Sequence, residues 1–308
     1  MYVCITSNWD CGKNSHHLNI KTGGVRMPLN EKVVGKKYKS DSIKISQHES
    51  IYYALAYNED NDAYFDNRRQ GGIIAPPMYA VFYAAGPTAQ LMFDAEIGIN
   101  MMFVVHYSQY FEWIKAVKPG DEVTSEGTIT HITVKEKGSI LGWETVTKNQ
   151  HDDIVVRAQW EFFDRSAGSG KPDGKTEEEA IPSQFIFDDT MKVRNGQTYI
   201  YAEPSGDHNP IHVDDDFAKK VGLPGIILQG LCTMAFAHKM AVDHLTPDRD
   251  PLKVKELYVR FARPVLPGQM LTFKGYAIEK LAEKTKYGII ALNDSGKDVL
   301  RNAWCTVA

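Results

Sequence analysis

The last third of the chain largely alternates apolar and polar residues. KVKELYVRFARPV (253–265), MLTFKGYAIEKL (270–281), KYGIIALND (286–294) and DVLRNAWCTV (298–307) read as strands with one buried face. Pro267-Gly268, Glu283-Lys284 and the run Asn293-Asp294-Ser295-Gly296 separate them as turns. The stretch before them has a different period. Leu231, Met234, Ala235, His238 and Val242 recur at steps of three and four, which predicts a helix from about Leu231 to His244. One long helix against antiparallel hairpins is an α+β layer design.

The same order of patterns occurs earlier in the chain. IVVRAQW (154–160) parallels VLRNAW (299–304), and VKPGDEVTSEGTI (117–129) parallels VLPGQMLTFKGYA (265–277). IIAPPMYAVFYAAG (73–86) parallels IILQGLCTMAFAHK (226–239), and YYALAYNEDNDAYFD (52–66) shadows IYAEPSGDHNPIHVD (200–214). Four matches in one order at nearly constant separation predict a duplicated unit. Gly, Pro, Ser and charge between the copies read as a linker over 164–185. The halves are then 28–163 and 186–308, each a sheet curved around a central helix, set side by side as one continuous sheet without exposed inner edges. Residues 1–27 show no periodicity and are expected to be a disordered extension upstream of a fold that opens near Met27.

Bulk composition narrows the function classes. The chain has 308 residues, 43% hydrophobic and 24% charged, with a formal charge of −4. That balance offers no basic field for nucleic acid or an anionic membrane. No apolar run approaches the roughly 20 residues of a spanning helix. Cys4, Cys11, Cys232 and Cys305 are scattered without a CxxC pair, which predicts reduced thiols and a cytoplasmic protein. A zinc site from Cys4, Cys11, His16 and His17 is set aside because the spacing fits tetrahedral sites poorly; no metal is expected.

The chemistry concentrates in SGDHNPIHVD (205–214) and the apolar stretch after it. Gly206 can adopt positive φ, and Pro210 restricts Asn209 to extended or turn geometry, so the segment is expected to be a shaped turn rather than a helix. Such a turn can aim Asp207 and His212 at one water, a pairing suited to general acid–base catalysis. Gly230 falls where the helix begins. Its N–H lies at the positive end of the dipole with no side chain in the way, a ready oxyanion donor. Blander readings cover the neighbours: Asp214 caps the helix over DDFAKKVG, His208 is exposed, and His238 is a satisfied core histidine.

YAEPSGDHNPIHVDDDFAKKVGLPGIILQGLCTMAF (201–236) resembles the hydratase-2 motif of the MaoC-like hydratases and dehydratases, with VRFARPVLPG (259–268) a softer second match. The resemblance implies a tandem (double) hot-dog fold, an antiparallel sheet wrapped around a long central helix in each half. It implies (R)-specific hydration of a trans-2-enoyl thioester, or dehydration of the (3R)-hydroxyacyl thioester. Asp207 and His212 would activate the water. Ser205, Gly206 and Asn209 would support the turn, and the Gly230 N–H would receive the thioester oxygen. Gln229 stands where members often have histidine. No cofactor is implied, since CoA or an acyl carrier protein is the substrate's carrier. Lys219, Lys220, Arg260 and Arg263 are candidates for CoA phosphates, and a homodimer is compatible with the pattern.

Aligned without gaps, the first half sets Asn61 opposite Asp207 and Asp66 opposite His212, with PPM (76–78) in place of QGL. Pro77 has no N–H to donate. That half is expected to be catalytically silent, with residues 78–93 lining an acyl tunnel, leaving one active site per chain. The competing readings are a hot-dog acyl-CoA thioesterase, which delivers water to C1, and a non-catalytic acyl-CoA-binding protein.

Overall fold

The computed structural model describes residues 29–101, 103–166, 182 and 184–308. The expected extension over 1–27, the cysteines and histidines within it, and most of the expected linker lie outside the described residues. Among the described residues, eleven strands carry the fold. They are β1 (Lys37–Lys39), β2 (Ile43–Lys44), β3 (Val104–Trp113), β4 (Glu122–Val134), β5 (Ser139–Asn149), β6 (Ile154–Asp164), β7 (Phe187–Lys192), β8 (Val254–Phe261), β9 (Met270–Lys280), β10 (Thr285–Leu292) and β11 (Asp298–Val307). They form one antiparallel sheet in the order β1-β4-β5-β6-β3-β8-β11-β10-β9-β7, with β2 also on β4. The halves join where β3 pairs with β8, from Ser108 opposite Arg260 to Glu112 opposite Glu256. That pairing removes the two inner edges and leaves one double hot-dog sheet.

The predicted strand over 253–265 stops at Phe261. Pro264 has no N–H for a ladder, and the Val265 carbonyl instead accepts from Leu228 N–H at 2.7 Å. Two glycines match in the repeat. Gly127 and Gly275 each have an aromatic ring, from Trp143 and Phe187, within 2.0 Å of where a Cβ would stand. Both positions admit only glycine unless the ring moves.

The helices are α1 (Gln47–Ala56), α2 (Asp62–Phe65), α3 (Ala80–Tyr83), α4 (Thr88–Met92), α5 (Gln197–Ser205), α6 (Pro210–Val213), α7 (Asp215–Lys220) and α8 (Gly230–Leu245). α8 is the expected central helix of the second half, buried without a break from Cys232 to Val242. The first half has no continuous counterpart. A 3-10 turn over Pro77–Tyr79, then α3 and α4, occupy its place. Gly86-Pro87 explains the interruption, since a proline removes a helical donor and its ring clashes with the preceding turn. α1 and α5 pack together where the repeats meet, and the Tyr53 and Tyr201 hydroxyls share a buried 2.9 Å hydrogen bond. No helix among the described residues is long and apolar enough to cross a membrane.

Candidate active site

α5 ends at Ser205, and Gly206 takes the left-handed conformation (φ 73°) that turns the chain out of the helix. Ser205 Oγ donates to the Tyr201 carbonyl at 2.6 Å and accepts from Asp207 N–H at 3.3 Å. Asp207 Oδ1 in turn accepts from Asn209 N–H at 3.2 Å. Asn209 is extended (ψ 128°) as expected before proline, but Pro210 does not keep the segment irregular. It occupies the first position of the one-turn helix α6, where a missing N–H costs nothing, and Asn209 Oδ1 caps that helix on Ile211 N–H. Asp214 caps α7 through Phe217 N–H at 2.9 Å.

α6 carries His212 inward. Its side chain is 8% exposed, against 36% for Asp207, and Nε2 lies 3.6 Å from Asp207 Oδ2. Nδ1 is 2.8 Å from the Ile227 carbonyl. A carbonyl can only accept, so Nδ1 carries the proton and the neutral ring leaves Nε2 as the basic nitrogen facing the carboxylate. At 3.6 Å the two groups are too far apart for a good direct hydrogen bond but close enough to hold one small oxygen between them.

The segment leading into α8 is tied to this turn from several sides. Ile227 N–H donates to the Ile211 carbonyl at 3.1 Å, and Gln229 Nε2 reaches the Thr198 carbonyl at 2.9 Å and the Asp207 carbonyl at 3.4 Å. Gly230 is the first residue of α8, so its N–H has no intrahelical acceptor. The Phe261 ring lies against it, 3.1 Å from where a Cβ would be. Asp207, His212 and the start of α8 therefore converge.

The cationic candidates are placed differently. Lys219 pairs with Asp215 one turn away on α7, and Lys220 is exposed beside it. Arg263 donates to the Asp298 carbonyl at 2.8 Å. Arg260 lies over Tyr107 and bonds its hydroxyl at 3.2 Å. Because Phe261 faces Gly230, strand alternation turns Arg260 to the opposite face of the sheet, away from the converging groups. His208 is exposed, as expected. His238 is in the core but not satisfied: neither ring nitrogen has a partner among the described residues. Burial lowers its pKa to about 3, so it stays neutral.

The first half requires a change of register. Asn61 Oδ1 caps α2 on Ala63 N–H at 2.9 Å, as Asn209 caps α6, so these two asparagines are the equivalent pair. Asn61 is therefore not opposite Asp207, nor Asp66 opposite His212. Glu59 takes the place of Asp207 and Tyr64 that of His212. Glu59 is buried and ion-paired with Lys239 of α8 at 3.3 Å, and Lys239 also meets Asp60 at 2.7 Å and Asp243 at 2.8 Å. Burial raises the Glu59 pKa against the pull of Lys239. Burial alone would lower Lys239, but Glu59, Asp243 and Asp60 together raise it. The Pro77 carbonyl is taken by the Trp113 indole N–H at 2.8 Å. The position that holds Asp207 and His212 in one half is occupied by an ion-pair cluster in the other.

Two site residues have contacts that the sequence does not reveal: Gln229, noted above only as standing where members often have histidine, and Phe82, one of the residues 78–93 expected to line a tunnel. Gln229 is buried in an apolar run, and a buried polar residue there needs partners, which is the one signal available. Phe82 of the first half stands 3.7 Å from the Gly206 Cβ position, a contact visible only across the fold.

The MaoC like domain matches residues 177–291, and the FAS1-like, dehydratase domain region matches 32–158. A probable enoyl-CoA hydratase 2 of Dictyostelium discoideum is 25% identical over 78% of this chain and 84% of its own length. The peroxisomal multifunctional enzyme type 2 of Mus musculus is 28% identical over 77% of this chain, which spans only 34% of that protein. Among solved structures, a MaoC-like dehydratase superposes with a TM-score of 0.77 at 18% identity, covering 89% of this chain and 98% of the other. One from Phytophthora capsici gives 0.76 at 21% identity, covering 91% and 98%.

Proposed function

The second half of this chain is a MaoC-like domain and the first a FAS1-like dehydratase region, and from that membership we propose an (R)-specific hydro-lyase acting on enoyl thioesters. The observation that carries the reading is the facing of His212 Nε2 and Asp207 Oδ2 across 3.6 Å, with Nδ1 held by the Ile227 carbonyl. In hydration the pair takes a proton from water while the water oxygen bonds to C3 of a trans-2-enoyl thioester. Electron density moves through C2 to the thioester oxygen, where the Gly230 N–H meets the developing charge. Return of the proton to C2 completes the (3R)-hydroxyacyl thioester, and dehydration is the same path reversed. Every atom comes from water, the substrate and these side chains, so the reaction as proposed uses no cofactor.

The first half enters as a silent partner. Glu59 is neutralised by Lys239 and Pro77 offers no N–H, while Phe82 supports a role for that half in shaping the acyl pocket. The thioester is carried by CoA or an acyl carrier protein, and a homodimer remains part of the proposal. So does a cytoplasmic location, supported by the unpaired thiols of Cys232 and Cys305; the peroxisomal names belong to the relatives that bear them. The test is crotonyl-CoA incubated with the protein. Loss of the conjugated enoyl absorbance without free thiol supports the hydratase. Release of thiol would support the thioesterase instead, and neither signal would favour a binding protein.

A further inference from the structure

The residue before the oxyanion glycine is polar and wholly buried. Gln229 directs its amide N–H groups at carbonyls on two other elements: Thr198, in the first turn of α5, and Asp207 itself. An amide nitrogen has two hydrogens, so each carbonyl can take one. Turning the amide over would set Oε1 against both carbonyl oxygens, so its orientation is fixed. Oε1 has no partner among the described residues, nor does Thr198 Oγ1. A residue retained for packing alone has no reason to carry that cost.

His212 is linked to the same segment through the Ile227 backbone, whose carbonyl meets Nδ1 and whose N–H meets Ile211. Gln229 supplies the link on the carboxylate side. The geometry points to Gln229 as a positioning residue that sets the separation between Asp207 and the Gly230 N–H, and so holds the proton-transfer groups in register with the oxyanion donor. This inference rests on the proposed reading of the site. Its effect falls on the chemical step, because Gln229 has no surface with which to touch a substrate.

Three variants test it. Gln229→Leu removes both donors, Gln229→Glu keeps the shape but turns a carboxylate on two carbonyls, and Gln229→His keeps one donor. With crotonyl-CoA, Leu and Glu should lower kcat by about 10- to 100-fold with KM held within about threefold, since an error near 1 Å costs up to about 10². His should fall between them and the wild type, at a melting temperature near that of the wild type. Wild-type kcat in folded Gln229→Leu would overturn the inference. So would kcat and melting temperature falling together in Leu with no recovery in His. Should Leu not fold, His decides: reduced kcat at intact melting temperature supports the role, and unchanged kcat overturns it. A wild-type protein that hydrates nothing removes the site reading and the inference with it. An active wild type with indifferent variants removes the inference alone.

Discussion

Gly230→Pro isolates the backbone donor from everything around it. Gly230 is the first residue of α8, the one helical position where proline is favoured, and its N–H enters no intrahelical bond. Gln229 before it already has φ −55° and ψ 132°, the extended geometry that a following proline demands. The substitution therefore removes one N–H and little else, as the chain itself does at Pro77 in the first half. A Cβ at this position meets the Phe261 ring at 3.1 Å, so the ring must shift by a few tenths of an ångström. Gly230→Ala makes the same demand on Phe261 while keeping the N–H, so the ratio between the two variants reports the donor. Loss of one oxyanion donor is worth about 10²–10³ in kcat. Steady-state kinetics on crotonyl-CoA, with thermal unfolding as the control for folding, should show Pro below Ala by about that factor at similar melting temperatures. Equal rates in the two folded variants would refute the role of the Gly230 N–H.

The remaining predictions concern the two copies of the site. Asp207→Asn and His212→Ala should each lower kcat by at least about 10² with substrate binding largely kept, and near-wild-type turnover in both would end the assignment of acid–base roles. Lys239→Met leaves Glu59, whose side chain is 1% exposed, with the Arg249 guanidinium at 3.9 Å in place of the nearer ammonium, while Asp60 at 69% exposure is screened by water and Asp243 keeps Arg249. Fully unpairing a buried carboxylate costs about 3–5 kcal/mol, which at about 2 °C per kcal/mol for a chain of this size sets an upper bound of roughly 6–10 °C on the fall in melting temperature, with Arg249 still 3.9 Å away. The double variant Glu59→Gln with Lys239→Met should recover much of it; a fall under about 2 °C in the single variant would show the pair to be idle. The Glu59 pKa is raised in the folded chain, so the folded state binds that proton more tightly than the unfolded state does. Its contribution to stability therefore falls as pH rises above the ordinary carboxyl value of 4.5, and the Lys239→Met deficit should shrink as pH is lowered from neutral toward that value.

The parts of the fold governed by local period were legible in the sequence. The alternation after Lys253 marked β8 to β11 but not β7, the fifth strand of the second half, and the three-four spacing from Leu231 marked α8 to within a residue at each end. The duplication was legible because the matches kept their order, and the convergence of Asp207, His212 and the start of α8 was legible because a turn followed by a helix tip can bring such groups together. What escaped depended on partners far away in the chain. The first half's central helix was read by analogy with α8, and Gly86-Pro87 broke it locally. Asn61 pairs with Asn209 rather than Asp207 because both cap a one-turn helix, a register set by the hydrogen bond from Ala63 N–H to Asn61 and invisible in residue spacing alone. The expectation for Arg260 fails because Phe261 takes the inner face of β8 and alternation turns Arg260 outward. Glu59 could not be matched with Lys239, which lies in the other half, from sequence alone.

The central claim is that water adds to the β-carbon while the thioester bond stays intact, and following the oxygen of isotopically heavy water tests it most directly. After incubation of crotonyl-CoA with the protein in that water, mass spectrometry should find the label in the C3 hydroxyl of an intact (3R)-hydroxybutyryl-CoA. Label in a free carboxylate, with CoA released, would contradict the account.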